Sequence, residues 1–148
     1  MAKSKAKILV VDDNSGIRAA LKLLLPMHFA QVELIPSPKE LISRISDFRP
    51  DVILLDMNFH TDINTGNEGL YWLSEIKKRS PETEVVLFTA YADIQLAVEG
   101  MKRGAFDFIV KPWDNDKLIG TLKAAYSCRR KDESRVSVPG QEIGRAHV

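Results

Sequence analysis

The chain has 148 residues, 45% hydrophobic and 28% charged, with a formal net charge of +1, which suits one soluble globular domain and gives no global pull toward nucleic acid or anionic membrane. Its single cysteine, Cys128, excludes an intrachain disulfide and a paired-cysteine zinc site. No apolar run approaches the ~20 residues that span a bilayer, and the basic start before Ile8 lacks the apolar core of a signal peptide, so a cytoplasmic domain is expected.

Apolar runs and amphipathic stretches then alternate five times. Ile8–Val11 is a short β-branched run, as in a strand buried on both faces. Ile17, Leu21, Leu24 and Leu25 follow at helical spacing, and Pro26 marks the end of that helix. Val32–Ile35 is a weaker second strand, closed by Pro36, and Leu41, Ile42, Ile45 and Phe48 make a second helical stripe. Val52–Leu55 is the most apolar strand. Leu70, Leu73 and Ile76 lie on a third helix that stops before Pro81. Val85–Phe88 forms strand four, and Ile94, Ala97, Val98 and Met101 mark helix four, with Gly104 as its C-terminal cap. Phe106–Val110 is strand five, and Leu118, Leu122 and Ala125 mark helix five, with Asp114 at its N-cap. Beyond Lys131 the periodicity fades into linker or tail. Strand–helix alternation predicts a doubly wound α/β fold, a parallel sheet with helices on both faces.

In such sheets the functional crevice lies outside the carboxyl ends of the strands. Strand one ends in Asp12-Asp13, strand three in Asp56, strand four in Thr89-Ala90 and strand five in Lys111-Pro112. Three carboxylates, a hydroxyl and an ammonium therefore converge. Like charges ~5 Å apart repel by roughly 3 kcal/mol at an effective dielectric near 20, and Lys111 neutralises only one of the three. A hard divalent cation held by a few carboxylates and waters, as Mg²⁺ prefers, answers the remainder. A carboxylate beside such an ion, with ammonium and hydroxyl near, also suits an aspartyl phosphoacceptor.

Five motifs in order carry a resemblance: V-V-D-D at 10–13, I-L-L-D-M-N at 53–58, L-F-T-A at 87–90, G-A-F-D-F at 104–108 and K-P at 111–112. Over residues 5–127 the chain resembles the receiver domains of bacterial two-component response regulators, and the wording around M-N, Y-A-D and K-P-W is similar to the receivers of NtrC-like transcription activators. The resemblance implies a flavodoxin-like (βα)₅ sheet in the order 2-1-3-4-5. It also implies Asp56 as phosphoacceptor, Asp13 and Asp56 as direct Mg²⁺ ligands, Asp12 as a ligand through water and the Asn58 carbonyl as the third protein ligand. Lys111, preceding a cis bond to Pro112, and Thr89 with the Ala90 backbone would contact the phosphoryl group. Thr89 and Phe108 would be the switch pair, and Tyr91 and His60 would cover the site. The implied partners are a histidine kinase phosphodonor, a second copy on phosphorylation, and an output domain controlling transcription. Neither direct nucleic-acid binding nor membrane binding is implied for the domain, which would catalyse only its own phosphorylation and slow dephosphorylation. Residues 128–148 are read as the end of the last helix and a linker or tail.

One departure stands out: the stretch from Asp56 to Gly69 is longer than the usual receiver loop and carries His60 where a proline commonly sits. His60 and Asp62 lack a third ligand at metal-binding spacing. Phe106, Phe108 and Trp113 are read as core or partner-face packing. Two alternatives remain beside the switch. A Mg²⁺-dependent phosphohydrolase with an aspartyl intermediate would resemble D-x-D-x-T after strand one, where this chain has D-D-N-S-G. A phosphate-independent interaction module would lack the acceptor, lysine or threonine, all of which are present.

Overall fold

Five strands, β1 (Ser4–Val11), β2 (Phe29–Ile35), β3 (Val52–Asp56), β4 (Glu84–Ala90) and β5 (Asp107–Lys111), pair in parallel in the order β2-β1-β3-β4-β5. The computed structural model describes residues 3–57 and 68–136. Five helices connect or follow the strands: α1 (Ser15–Leu24), α2 (Leu41–Asp47), α3 (Glu68–Arg79), α4 (Ile94–Lys102) and α5 (Asn115–Val136). This is the parallel sheet that the alternating pattern predicted, in the flavodoxin-like order that the resemblance implied.

Because side chains alternate across a strand, each strand feeds two cores. Ile8, Val10, Val52, Leu54, Val86 and Phe88 face α1 and α5, packing against Leu21, Leu25, Leu118, Leu122 and Ala125. Leu9, Val11, Ile53, Leu55, Val85 and Leu87 face α2, α3 and α4, packing against Leu41, Leu70, Leu73, Ile76 and Ala97. Burial on both faces explains why these strands read as continuous apolar runs.

Local chemistry sets the boundaries. The Asn14 side chain accepts from the Ile17 amide and caps α1, and Asp114 accepts from the Lys117 amide at α5, as expected. Pro26 ends α1 in a short 3-10 turn. Gly104 takes φ 108° just after α4, the left-handed turn that glycine allows without a Cβ penalty. Two strands begin earlier than their apolar runs, β1 at Ser4 and β2 at Phe29, because their first residues pair with each other. β5 is displaced by one residue, to Asp107–Lys111. Helix α5 continues to Val136 although apolar periodicity fades after Lys131. Extending a formed helix through Arg130–Arg135 costs little, since nucleation is already complete and no proline intervenes.

Candidate functional site

The switch in strand order places the ends of β1 and β3 side by side, with Val11 paired to Leu55. Asp12 and Asp56 are both buried there, 0% and 1% exposed, while Asp13 is half-buried. One carboxylate oxygen from each of Asp12, Asp13 and Asp56 lies within 4.8 Å of the others. From the end of β5, the Lys111 ammonium sits 2.9 Å from Asp12 Oδ2 and 3.0 Å from Asp56 Oδ1. It donates a hydrogen bond to Asp56. Asp12 Oδ2 is buried, and beyond this ion pair it has no hydrogen-bond donor among the described residues, which leaves it a lone pair. The Lys111–Pro112 bond is cis, as the resemblance implied.

Electrostatics hold the lysine charged. Burial by itself would lower the Lys111 pKa, but the facing carboxylates of Asp56 and Asp12 outweigh desolvation and raise it above 10.5. Among the described residues, the ion pairs of Lys111 with Asp12 and Asp56 set one ammonium against two of the three carboxylates. An oxygen-only donor set, a buried oxygen with a spare lone pair and this clustering of carboxylates together fit a hard divalent cation.

Thr89, at 0% exposure, lies one position before the end of β4. Its hydroxyl donates to the carbonyls of Ala90 and Asp93, each at 3.3 Å, and is therefore turned toward the Tyr91–Asp93 turn. Ala90 closes β4 opposite Lys111. Phe108 pairs with Leu87 and packs, partly buried, on the α4 side of the sheet. Alternation puts Thr89 on that same face as Leu87. Tyr91 is 78% exposed, with its ring largely in solvent. Asn58 and His60 fall at 58–67, outside the described residues.

Three contributors escaped the sequence reading. Arg18, one turn into α1, donates to the Asp12 carbonyl at 2.8 Å and ties the acidic turn to the helix. Phe88 lies beneath Lys111, the ammonium standing 4.8 Å from its ring centroid. Trp113 packs on Phe88 with centroids 5.3 Å apart. Arg18 follows Asp12 by six residues, and Asp12 precedes the helix, so periodicity carries no signal for that contact. The Phe88 contact depends on the register of β4 against β5, and the Trp113 contact on how the segment after Pro112 folds back.

Comparison with known proteins agrees with this layout. The family model for the response regulator receiver domain matches residues 8–123. The chain is 31% identical to the DNA-binding transcriptional regulator NtrC of Klebsiella pneumoniae over 130 residues, 88% of this chain and 27% of that protein. It is 32% identical to the transcriptional regulatory protein ZraR of Klebsiella oxytoca over 97% of this chain and 32% of that one. It therefore spans about a third or less of these curated relatives. Among solved structures, the N-terminal signal receiver domain of a two-component response regulator from Bacteroides fragilis is 53% identical, with TM-score 0.76, covering 83% of this chain and 98% of that one. NtrX from Brucella abortus superposes with TM-score 0.80 at 31% identity, covering 90% of this chain and 29% of that one. The fold, the acidic strand ends and these matches lead to one conclusion: the chain belongs to the family of response-regulator receiver domains.

Proposed function

We propose that this domain, residues 5–127, is a phosphoacceptor switch in which Asp56 takes a phosphoryl group from a histidine kinase. The observation that carries the reading is the convergence of Asp12, Asp13, Asp56 and Lys111 at one crevice. A carboxylate oxygen of Asp56 attacks phosphorus while the phosphorus–nitrogen bond of the phosphohistidine breaks and the imidazole leaves. Lys111, already against Asp56, holds positive charge where the transferring oxygens become more negative. Asp13 and Asp56 directly, Asp12 through water and the Asn58 carbonyl would hold Mg²⁺, which when bound would disperse that same negative charge.

With the phosphoryl group in place, Thr89 and the Ala90 backbone would receive its oxygens. The Thr89 hydroxyl must then exchange its carbonyl partners at Ala90 and Asp93 for a phosphoryl oxygen. Phe108 follows on the same face, and the equilibrium shifts at α4, β5 and α5. Residues on that face would pair with a second copy or an output domain in a cytoplasmic transcription regulator, without direct nucleic-acid contact by this domain. Among the described residues no helix is long and apolar enough to cross a membrane.

The test is intact mass after incubation with acetyl phosphate and Mg²⁺, followed by peptide mapping. One phosphoryl group on Asp56 is expected, absent from Asp56→Ala. An unchanged wild-type mass, with no response to beryllofluoride, would refute the reading. Catalytic turnover of a small phosphomonoester would instead favour a hydrolase.

A further inference from the structure

Lys111 reaches the acidic crevice across an aromatic surface. Its ammonium stands 4.8 Å from the Phe88 ring centroid. Phe88 is completely buried and pairs in register with Asp56, so ring and acceptor sit side by side. Trp113 tilts onto Phe88 at 56°, centroids 5.3 Å apart. Its indole N–H donates to Asn115 Oδ1 at 2.8 Å, tethering the ring to the first residue of α5. The chain thus passes from Lys111 through Pro112 to Trp113 and folds back beneath the lysine it has just presented.

The physical consequence is orientation. A lysine side chain has four rotatable bonds, and its ammonium attracts water strongly. An aromatic face attracts the cation and excludes water from one side, most effectively where the site is desolvated. We propose that Phe88 and Trp113 form an aromatic platform that holds the Lys111 ammonium between Asp12 and Asp56, and that both act as positioning residues for phosphoryl transfer. The inference rests on the phosphoacceptor reading above. Neither ring carries a group that takes part in the transfer. They act through Lys111, Phe88 directly and Trp113 by fixing Phe88.

Three perturbing variants and one control test this in the whole chain: Phe88→Leu, Trp113→Leu, the conservative Trp113→Phe, and Leu122→Ala. Leu122 is buried in the same core on α5 and takes no part in the site. Each is assayed with acetyl phosphate as donor, below its melting temperature, with Mg²⁺ affinity measured separately by calorimetry. Phe88→Leu and Trp113→Leu should lower the maximal phosphorylation rate about tenfold, the scale of one desolvated cation–aromatic contact. Their Mg²⁺ affinity and half-saturating donor concentration should stay within about twofold, because a positioned ammonium acts on transfer rather than on ground-state binding. Trp113→Phe should retain most of the rate. Leu122→Ala should melt earlier yet phosphorylate normally. Rates for Phe88→Leu and Trp113→Leu no lower than for Leu122→Ala, or Mg²⁺ affinity falling in step with rate, would overturn the platform. Failure of the wild type itself to become phosphorylated would overturn the phosphoacceptor reading, and the platform with it.

Discussion

Removing Asp13 should stabilise the metal-free domain and make it blind to Mg²⁺. The facing oxygens of Asp12, Asp13 and Asp56 lie within 4.8 Å of one another. At that separation each like-charged pair repels by roughly 3.5 kcal/mol at a dielectric of 20, and by roughly 0.9 kcal/mol in bulk water. Asp13 is half-buried, so its two pairs lie between those limits. Folding adds only the pair with Asp56 to what the neighbouring Asp12 already imposes, leaving a net gain of about 1 kcal/mol on removal. For a domain of this size that is about 3 °C in melting temperature. The unfolded chain keeps the repulsion between the neighbours Asp12 and Asp13 but barely feels that with Asp56, because two separate strand ends, β1 and β3, bring it there. Mg²⁺ should in turn raise the wild-type melting temperature by about 8 °C at a hundredfold excess over its dissociation constant, equivalent to ~2.7 kcal/mol. Thermal melts of wild type and Asp13→Ala, in EDTA and in excess Mg²⁺, measure both effects. Asp13→Ala should melt higher in EDTA and show no Mg²⁺-dependent rise. A structural acid would behave oppositely: its removal would lower the melting temperature. A wild type indifferent to Mg²⁺ would refute the metal half of the mechanism.

Lys111 supplies a pH prediction. Its folded-state pKa lies above the unfolded value near 10.5, so its stabilising contribution is complete below that pH and is lost as pH rises through the higher folded value. Metal-free denaturation of wild type should show this alkaline loss, and Lys111→Met should lack it; equal alkaline slopes would count against the ion pair. Beryllofluoride with Mg²⁺ should promote self-association by sedimentation and change amide exchange across residues 92–126, whereas changes confined to α1 and α2 would disprove the Thr89–Phe108 relay. Gly100→Ala should destabilise by about 1 kcal/mol in denaturant titrations. An added Cβ would meet Leu87 Cδ1 at 2.4 Å, and overpacking of about 1–3 kcal/mol exceeds the ~1 kcal/mol gained in helix propensity. An unchanged or higher midpoint would show that α4 can shift away from the sheet.

The sequence determined the order of elements and the identity of the residues at the strand ends. Apolar runs such as Val52–Leu55 are legible because a parallel strand buried on two faces is apolar along its middle and turns polar only at its ends. Asp12, Asp13, Asp56, Thr89 and Lys111 were legible because each follows or closes such a run, and parallel strands deliver their ends to one side. Tertiary structure alone decided how those groups meet. That Lys111 lies between Asp12 and Asp56 depends on side-chain direction across β1, β3 and β5. That the Thr89 hydroxyl turns toward Asp93 depends on the 3-10 turn that follows β4. Trp113 read as packing, because nothing local places an indole on Phe88. That contact forms only when the segment after Pro112 turns back over the sheet, bringing together side chains separated along the chain, and chain periodicity carries no record of such closure.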